Sequence, residues 1–344
     1  SRGFLDRTGP SAPLYRWGVT GSLAPTSLWI VLPAMTRPFR FSIQASVPRP
    51  AAEWRELGRR AEDLGYSAVS VSDHLDTEMA PLIALAVTAE ATHNLRLTTL
   101  VLSNDFRHPA FLAKQAATLD LLSDGRLELG VGAGWKTSDY EQSGIPLDRP
   151  GIRIERLAEA IAVLKGCFTD GPFDFDGEHY TIRGLDGQPA CVQRPHPPIL
   201  LAGGGQRMLT LAAHQADIVG LNASLHAGVI DHNAGPSATT AATDQKLQWI
   251  REAAGDRFSQ IELQTRVHLA LITDDPEGIA DLMAPALGIS PEEALASPHV
   301  LVGSEGQCVE TLLAWRERWG LTYIGMNEDS MVEFGPVVEA LTGV

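Results

Sequence analysis

From Phe39 onward the chain alternates short apolar runs with segments of helical period, and this alternation restricts the fold more than any other feature. FRFSIQA (39–45), SAVSVSD (67–73), LRLTTLVLSN (95–104), RLELGVGAG (126–134), PPILLAG (197–203), ADIVGLN (216–222), IELQTRVHLALIT (261–273) and LTYIGMN (321–327) read as strands. Between them lie amphipathic segments such as AEWRELGRRAEDLG (52–65), which closes on Gly65, and PAFLAKQAATLDLLSDG (109–125), which starts at Pro109 behind a capping His108. Strands apolar along most of their length are covered on both faces, so the sheet is parallel and the helices are its crossovers. Eight such strands predict an α/β fold, a closed (β/α)8 TIM barrel with insertions, in preference to an open sheet. One short hairpin is signalled at FDFDGEHYTI (173–182) by Asp176-Gly177. The interruptions at 133–150, 168–197 and 221–245 are assigned to the loop face, after strands or beside their ends, with 223–245 read as a mobile loop. In a barrel that face carries function.

The totals narrow the class. At 344 residues, 44% of them apolar, the chain is long enough for one barrel domain, taken as 35–344. The formal net charge of −15 argues against nucleic acid or an anionic membrane as partner, since both need a basic face. Cys167, Cys191 and Cys308 are distant from one another and odd in number, which points to a reducing cytoplasm rather than a disulfide framework. No histidine or cysteine spacing suggests a metal site. Residues 1–34 read differently, with four prolines, one acidic residue and little periodicity, and are expected to be a flexible leader or a non-native extension. Leu28 to Leu32 is too short an apolar piece to span a bilayer.

Three places carry candidate chemistry. Gly203, Gly204 and Gly205 separate an apolar strand from a helix. Backbone N–H groups at a helix start point outward unpaired, and bare glycines let a phosphate reach them; the alternative is a tight turn needing positive φ. In GVGAGW, Gly132 and Gly134 either admit a flat ring beside a strand end or make a turn. In SVSDHL, Asp73 and His74 fall where the second strand ends. There a histidine is placed to move protons near neutral pH and an aspartate to orient a partner; the alternative is a surface turn.

The order of these segments resembles the bacterial luciferase-like family, and within it the coenzyme F420-dependent oxidoreductases. The likeness runs from about Phe39 to the C-terminus, and HPAFLAKQAATLDLLSDGRLELGVGAGW is its most specific part. The resemblance implies a barrel of the luciferase-like type, usually dimeric, acting on a small organic molecule. It implies F420 as cofactor, with FMN as the alternative in a monooxygenase branch that uses oxygen. Residue by residue, it implies that Asp73 contacts the deazaflavin and that His74 transfers the proton. It implies further that Ser103 and Asn104 lie near the ring's polar edge, and that Leu100–Val101 is a cis peptide supporting the ring. Ala133 and Gly134 would touch the cofactor, and Gly203, Gly204 and Gly205 would hold its phosphate. One departure stands out. F420-dependent sugar-phosphate dehydrogenases of this family carry a catalytic Glu just after the fourth-strand glycine, where this chain has Trp135. An indole cannot transfer that proton, so a sugar-phosphate substrate is not expected and Trp135 is read as a wall of the substrate pocket.

Overall fold

A computed structural model describes residues 37–344 except 46, 77, 226, 227 and 229–233. The expectation for residues 1–34 therefore lies outside the described residues. In chain order the elements are β1 (Arg40–Gln44), α1 (Ala51–Asp63), β2 (Ala68–Val71), α2 (Pro81–Ala91), β3 (Arg96–Thr99), β4 (Leu102–Ser103), α3 (Pro109–Leu122) and β5 (Leu127–Gly132). Next come α4 (Thr137–Ser143), α5 (Pro150–Cys167), β6 (Pro172–Asp176), β7 (Thr181–Asp186), β8 (Ile199–Gly203), α6 (Gln206–Gln215), β9 (Ile218–Leu221) and α7 (Thr240–Ala254). The rest are β10 (Glu262–Arg266), β11 (Leu269–Ile272), α8 (Pro276–Leu287), α9 (Pro291–Leu295), β12 (Val300–Gly303), α10 (Glu305–Trp319), β13 (Leu321–Asn327) and α11 (Gly335–Leu341).

Eight parallel staves close into the predicted (β/α)8 barrel, in the order β1, β2, β3 with β4, β5, β8, β9, β10, β13 and back to β1. Thr99 ends β3, the Leu100–Val101 bond is cis as the resemblance implied, and β4 resumes the stave. β2, β5 and β9 are buried at every residue and β13 at all but its last, which is why these runs are mostly apolar, with Ser70, Glu128 and Thr322 as buried polar exceptions. The sequence marks several helix ends. Pro109 opens α3 with the His108 side chain accepting the Ala110 N–H, Gly65 beyond α1 has φ +82°, and Ser304 with Gln307 forms a capping box on α10.

Several expectations need correction. The run 261–273 is two strands: β10 is a stave, whereas β11 leaves the barrel and pairs in parallel with β12. An apolar run states that a strand is buried but not which partner covers it. The loop expected over 223–245 ends early, because α7 begins at Thr240 with the Thr239 hydroxyl accepting the Ala242 N–H. The interval 133–150 holds a short helix, α4, closed by Gly144 at φ +72°. The insertion at 168–197 follows helix α5 rather than a strand. Its antiparallel hairpin β6–β7 folds back along α5, where Glu159 accepts the N–H groups of Glu178, His179 and Tyr180. Among the described residues no helix is long and apolar enough to cross a membrane.

The barrel closes over a buried charge. The Glu128 carboxylate, on β5, accepts from Arg40 of β1 at 2.6 Å, from Arg96 of β3, from Thr98 at 2.9 Å and from the Tyr323 hydroxyl of β13 at 3.1 Å. Arg40 also donates twice to Glu262 of β10 at 2.6 Å and lies 3.6 Å over the Tyr323 ring. Burial opposes the charge on Glu128, but Arg40 and Arg96 outweigh it and hold the carboxyl below its ordinary range. Removing one member of such a network leaves the others uncompensated, so Glu128→Ala is expected to cost about 3–5 kcal/mol in urea unfolding. A carboxylate with a lowered native pKa stabilises above its unfolded value, about 4.3, and that stability fades as pH falls through the native value. The acid branch of the stability curve should therefore be flatter in Glu128→Ala than in the parent.

Candidate active site

A cavity of about 1710 Å³ opens at the C-terminal ends of the staves. Pockets for drug-sized ligands typically occupy about 300–1,000 Å³, so this one has room for a cofactor and a substrate together. Asp73, His74, Leu100, Val101, Ser103, Ala133, Gly134, Trp135, Gly203, Gly204 and Gly205 all line it. Asn104 does not. It is buried at the start of a 3-10 turn, and its amide donates to the Tyr180 hydroxyl at 3.1 Å.

The two residues that end the β2 run serve different partners. Both Asp73 oxygens receive the Arg107 guanidinium, at 2.6 and 2.9 Å, and one also accepts the Ser103 N–H at 2.9 Å. Asp73 thus ties β2 to the segment after β4. Both residues lie beyond the end of β2, where strand alternation no longer applies, and His74 has a different partner. Its Nδ1 lies 2.7 Å from Oδ2 of Asp139, a buried residue of α4. Asp139 Oδ1 accepts the Leu75 N–H at 3.3 Å, and Glu78 accepts the His74 N–H at 3.1 Å. A carboxylate at Nδ1 fixes the proton there and leaves Nε2 as the reactive nitrogen. Trp135 packs edge-on against the imidazole, with centroids 5.5 Å apart at 87°.

The strand-end glycines make room for the protein itself. At Gly132 a Cβ would stand 2.6 Å from Val101 Cγ2. Gly134 has φ +73°, and a side chain there would strike the Tyr140 hydroxyl. The Ala133 and Gly134 carbonyls receive Arg153 of α5.

None of Gly203, Gly204 and Gly205 has a left-handed φ, so the turn alternative as framed, a need for positive φ, does not account for the triplet. Close approach explains two of them: a Cβ at Gly203 would lie 2.5 Å from Met208, and one at Gly204 would lie 2.6 Å from the Ser224 nitrogen. Gly205 is the N-cap of α6 at φ −102°, ψ 149°, and no side chain caps the helix. The N-terminal turn of α6, with Gln206, Arg207 and Met208, faces the cavity.

Residues 34–232 match the family model for luciferase-like monooxygenases. The chain belongs to that family. It is 31% identical to the F420-dependent glucose-6-phosphate dehydrogenase of Amycolatopsis mediterranei over 189 residues, covering 52% of this chain and 55% of that protein. It is 32% identical to the FMNH(2)-dependent dimethylsulfone monooxygenase of Pseudomonas putida over 127 residues, 37% of this chain and 35% of that protein. The luciferase-like chain thus spans about half the length of one curated relative and about a third of the other. In fold it is similar to the coenzyme F420 dependent tetrahydromethanopterin reductase from Methanopyrus kandleri, with TM-score 0.71 and 18% identity, over 89% of this chain and 100% of that one.

The sequence reading missed Asp139, Arg107 and Arg153, which orient His74, Asp73 and the β5 end of this luciferase-like site. Asp139 lies on a helix too short to announce itself, although Gly144 marked its end. Two substitutions separate packing from ligand access in the glycine triplet. Gly204→Val meets backbone atoms and is expected to cost about 1–3 kcal/mol in thermal unfolding. Gly205→Ser suits the existing N-cap dihedrals, and should hold stability or raise it by a few tenths of a kcal/mol while its hydroxyl occupies the open N–H groups.

Proposed function

We propose that the protein is an oxidoreductase that moves a hydride between coenzyme F420 and a C=C, C=N or C=O bond of a small organic substrate. The observation that carries this reading is the His74–Asp139 pair, set on the wall of a cavity that also receives the uncapped start of α6. When bound, the deazaflavin supplies or accepts the hydride. The residues present fit such a group. The N–H groups of the first turn of α6 would hold its phosphate, with the helix dipole in favour of an anion. Leu100, Val101 and Ala133 offer an apolar wall for a ring.

The protein's share is placement and the proton. Hydride addition leaves negative charge on the substrate atom beside the one attacked, and a neighbouring acid neutralises it. His74 Nε2 is the group for that step: with Nδ1 committed to Asp139, the protonated ring donates only from Nε2. In the reverse direction the neutral ring accepts there. Asp139 holds the ring plane through Nδ1, and Trp135 keeps its edge packed. Asp73, with both oxygens occupied, acts by holding the loop around Ser103. The family resemblance supports a homodimer, and exposed Ile83 on α2 and exposed Phe111 and Leu122 on α3 are apolar side chains available to such an interface.

The second reading, an FMN-dependent monooxygenase using oxygen, has its support in the FMNH(2)-dependent relative. Titration of the protein with F420 and with FMN, followed by fluorescence, separates the two: F420 is expected to bind more tightly, and the reverse order transfers the assignment to FMN. Failure to bind either leaves a barrel for another ligand. His74→Ala is expected to lower turnover by about 10²–10⁴-fold, the usual range for a lost general acid, with F420 affinity held within a few-fold. Collapse of binding with turnover retained would make His74 a cofactor contact instead.

A further inference from the structure

The end of β10 and the helix α7 bring two cations to one side of the cavity. Arg266 lines the cavity there, and its guanidinium donates to the Val267 carbonyl at 2.9 Å and to the Asn327 side chain. Lys246 reaches the same region from α7; it is buried and donates to the carbonyls of Asn222, at 2.7 Å, and Ser237. All of these acceptors are neutral, and neither cation forms an ion pair with a carboxylate among the described residues. Elsewhere on the cavity wall Lys136 is paired with Asp76 and Arg207 with Glu155, while Arg153, like Arg266, donates to backbone carbonyls. The groups around the two cations add no negative charge. His268 and His299 face each other at 5.6 Å, and His299 Nδ1 donates to the Arg266 carbonyl at 2.8 Å. His299 is buried, and burial and then His268 push it down to about 3, so it is neutral near pH 7; His268, exposed at the cavity, is neutral or positive in either protonation state. Two residues below Arg266, on the same face of β10, Gln264 is buried, lines the cavity and has an Nε2 with no hydrogen-bond partner.

A cation taken out of water without an anionic partner is costly to hold, and a free amide donor beneath it adds to the cost. The same desolvation makes the site strong toward an anion that completes it. We propose that the β10 side of the cavity is a subsite for an oxyanion carried by the organic substrate, typified by a carboxylate, with Arg266 as its receptor and Lys246 adding to its field. The guanidinium fork suits a planar carboxylate. Around the barrel β10 is two staves from β8, which leads into the open end of α6, and three from β2, whose continuation carries His74. An anion anchored at Arg266 would therefore direct the rest of a substrate across the mouth toward His74. The inference rests on the reading of this cavity as an oxidoreductase site.

The test is calorimetric titration of the full chain, with and without F420, using a chain-length series of oxo acids and their methyl esters. The esters keep the carbonyl and lose the charge. The acids are expected to bind about ten-fold or more tightly than their esters, as charge-assisted hydrogen bonds warrant. Arg266→Gln should abolish that difference and Arg266→Lys retain part of it, with F420 affinity held within about two-fold. Equal binding of acid and ester by the parent protein, or no binding of either, overturns the subsite. Joint loss of acid and F420 binding in a folded Arg266→Gln also overturns it, because the cation would then serve the cofactor's own phosphate. If Arg266→Gln does not fold, the acid–ester difference in the parent and in Arg266→Lys decides. A difference that depends on Arg266 in a protein binding neither F420 nor FMN would sink the hydride reading and leave the subsite standing.

Discussion

The barrel hangs on the closure between β3 and β5, and that closure is made by one buried carboxylate. β3 and β5 share only the pairs Leu97–Leu127 and Thr98–Glu128 before the chain passes through Leu100–Val101 and resumes as β4. At this short seam Glu128 gathers donors from β1, β3 and β13, and Arg40 extends the network to β10. Isolated, each of these charges would be too costly to bury. Together they are satisfied, and five staves are fixed in register at the N-terminal end of the barrel. The cavity at the other end inherits that rigidity. His74, the start of α6 and Arg266 all follow staves that the network or its neighbours hold.

The cavity divides its chemistry by stave. On the β2 and β5 side stand His74, Asp139 and Trp135, an imidazole braced by a carboxylate and an indole. After β8 comes the open helix start, which favours anions through backbone N–H groups and the helix dipole. At β10 stand cations without carboxylate partners. A tricyclic ring between these regions would have apolar contacts from Leu100, Val101 and Ala133. This separation of polar functions around one rim is what the barrel topology offers, since each loop is positioned by its own strand.

Much of this was legible along the chain. Buried parallel strands are mostly apolar, so the eight staves could be counted, and Pro109 and Gly65 marked helix ends while Asp176-Gly177 marked a hairpin. SVSDHL, GVGAGW and AGGG each follow an apolar run, so their place on the loop face followed from the alternation alone. The one candidate away from the cavity, Asn104, shows the limit: the run LRLTTLVLSN does not say where its strand ends, and a 3-10 turn carries that side chain toward Tyr180. The short run HVLVG (299–303) went unread, and the β10–β11 break did too, because 261–273 carries no glycine or proline to mark where the stave ELQTR gives way to LALI.

Hydrophobic period and turn chemistry are local properties, and they suffice for the class of fold, the order of its elements and the segments that reach the cavity. Pairing across the chain is not local. That Asp73 belongs to Arg107 and His74 to Asp139, 65 residues away, depends on where α4 packs. That Gly204 yields to Ser224 depends on the approach of the β9 loop. That Arg266 and Lys246 both line the cavity without a carboxylate partner depends on how α7 packs, with Lys246 held by the Asn222 and Ser237 carbonyls. Such contacts are set by packing between elements distant in sequence, and no pattern within either element encodes them.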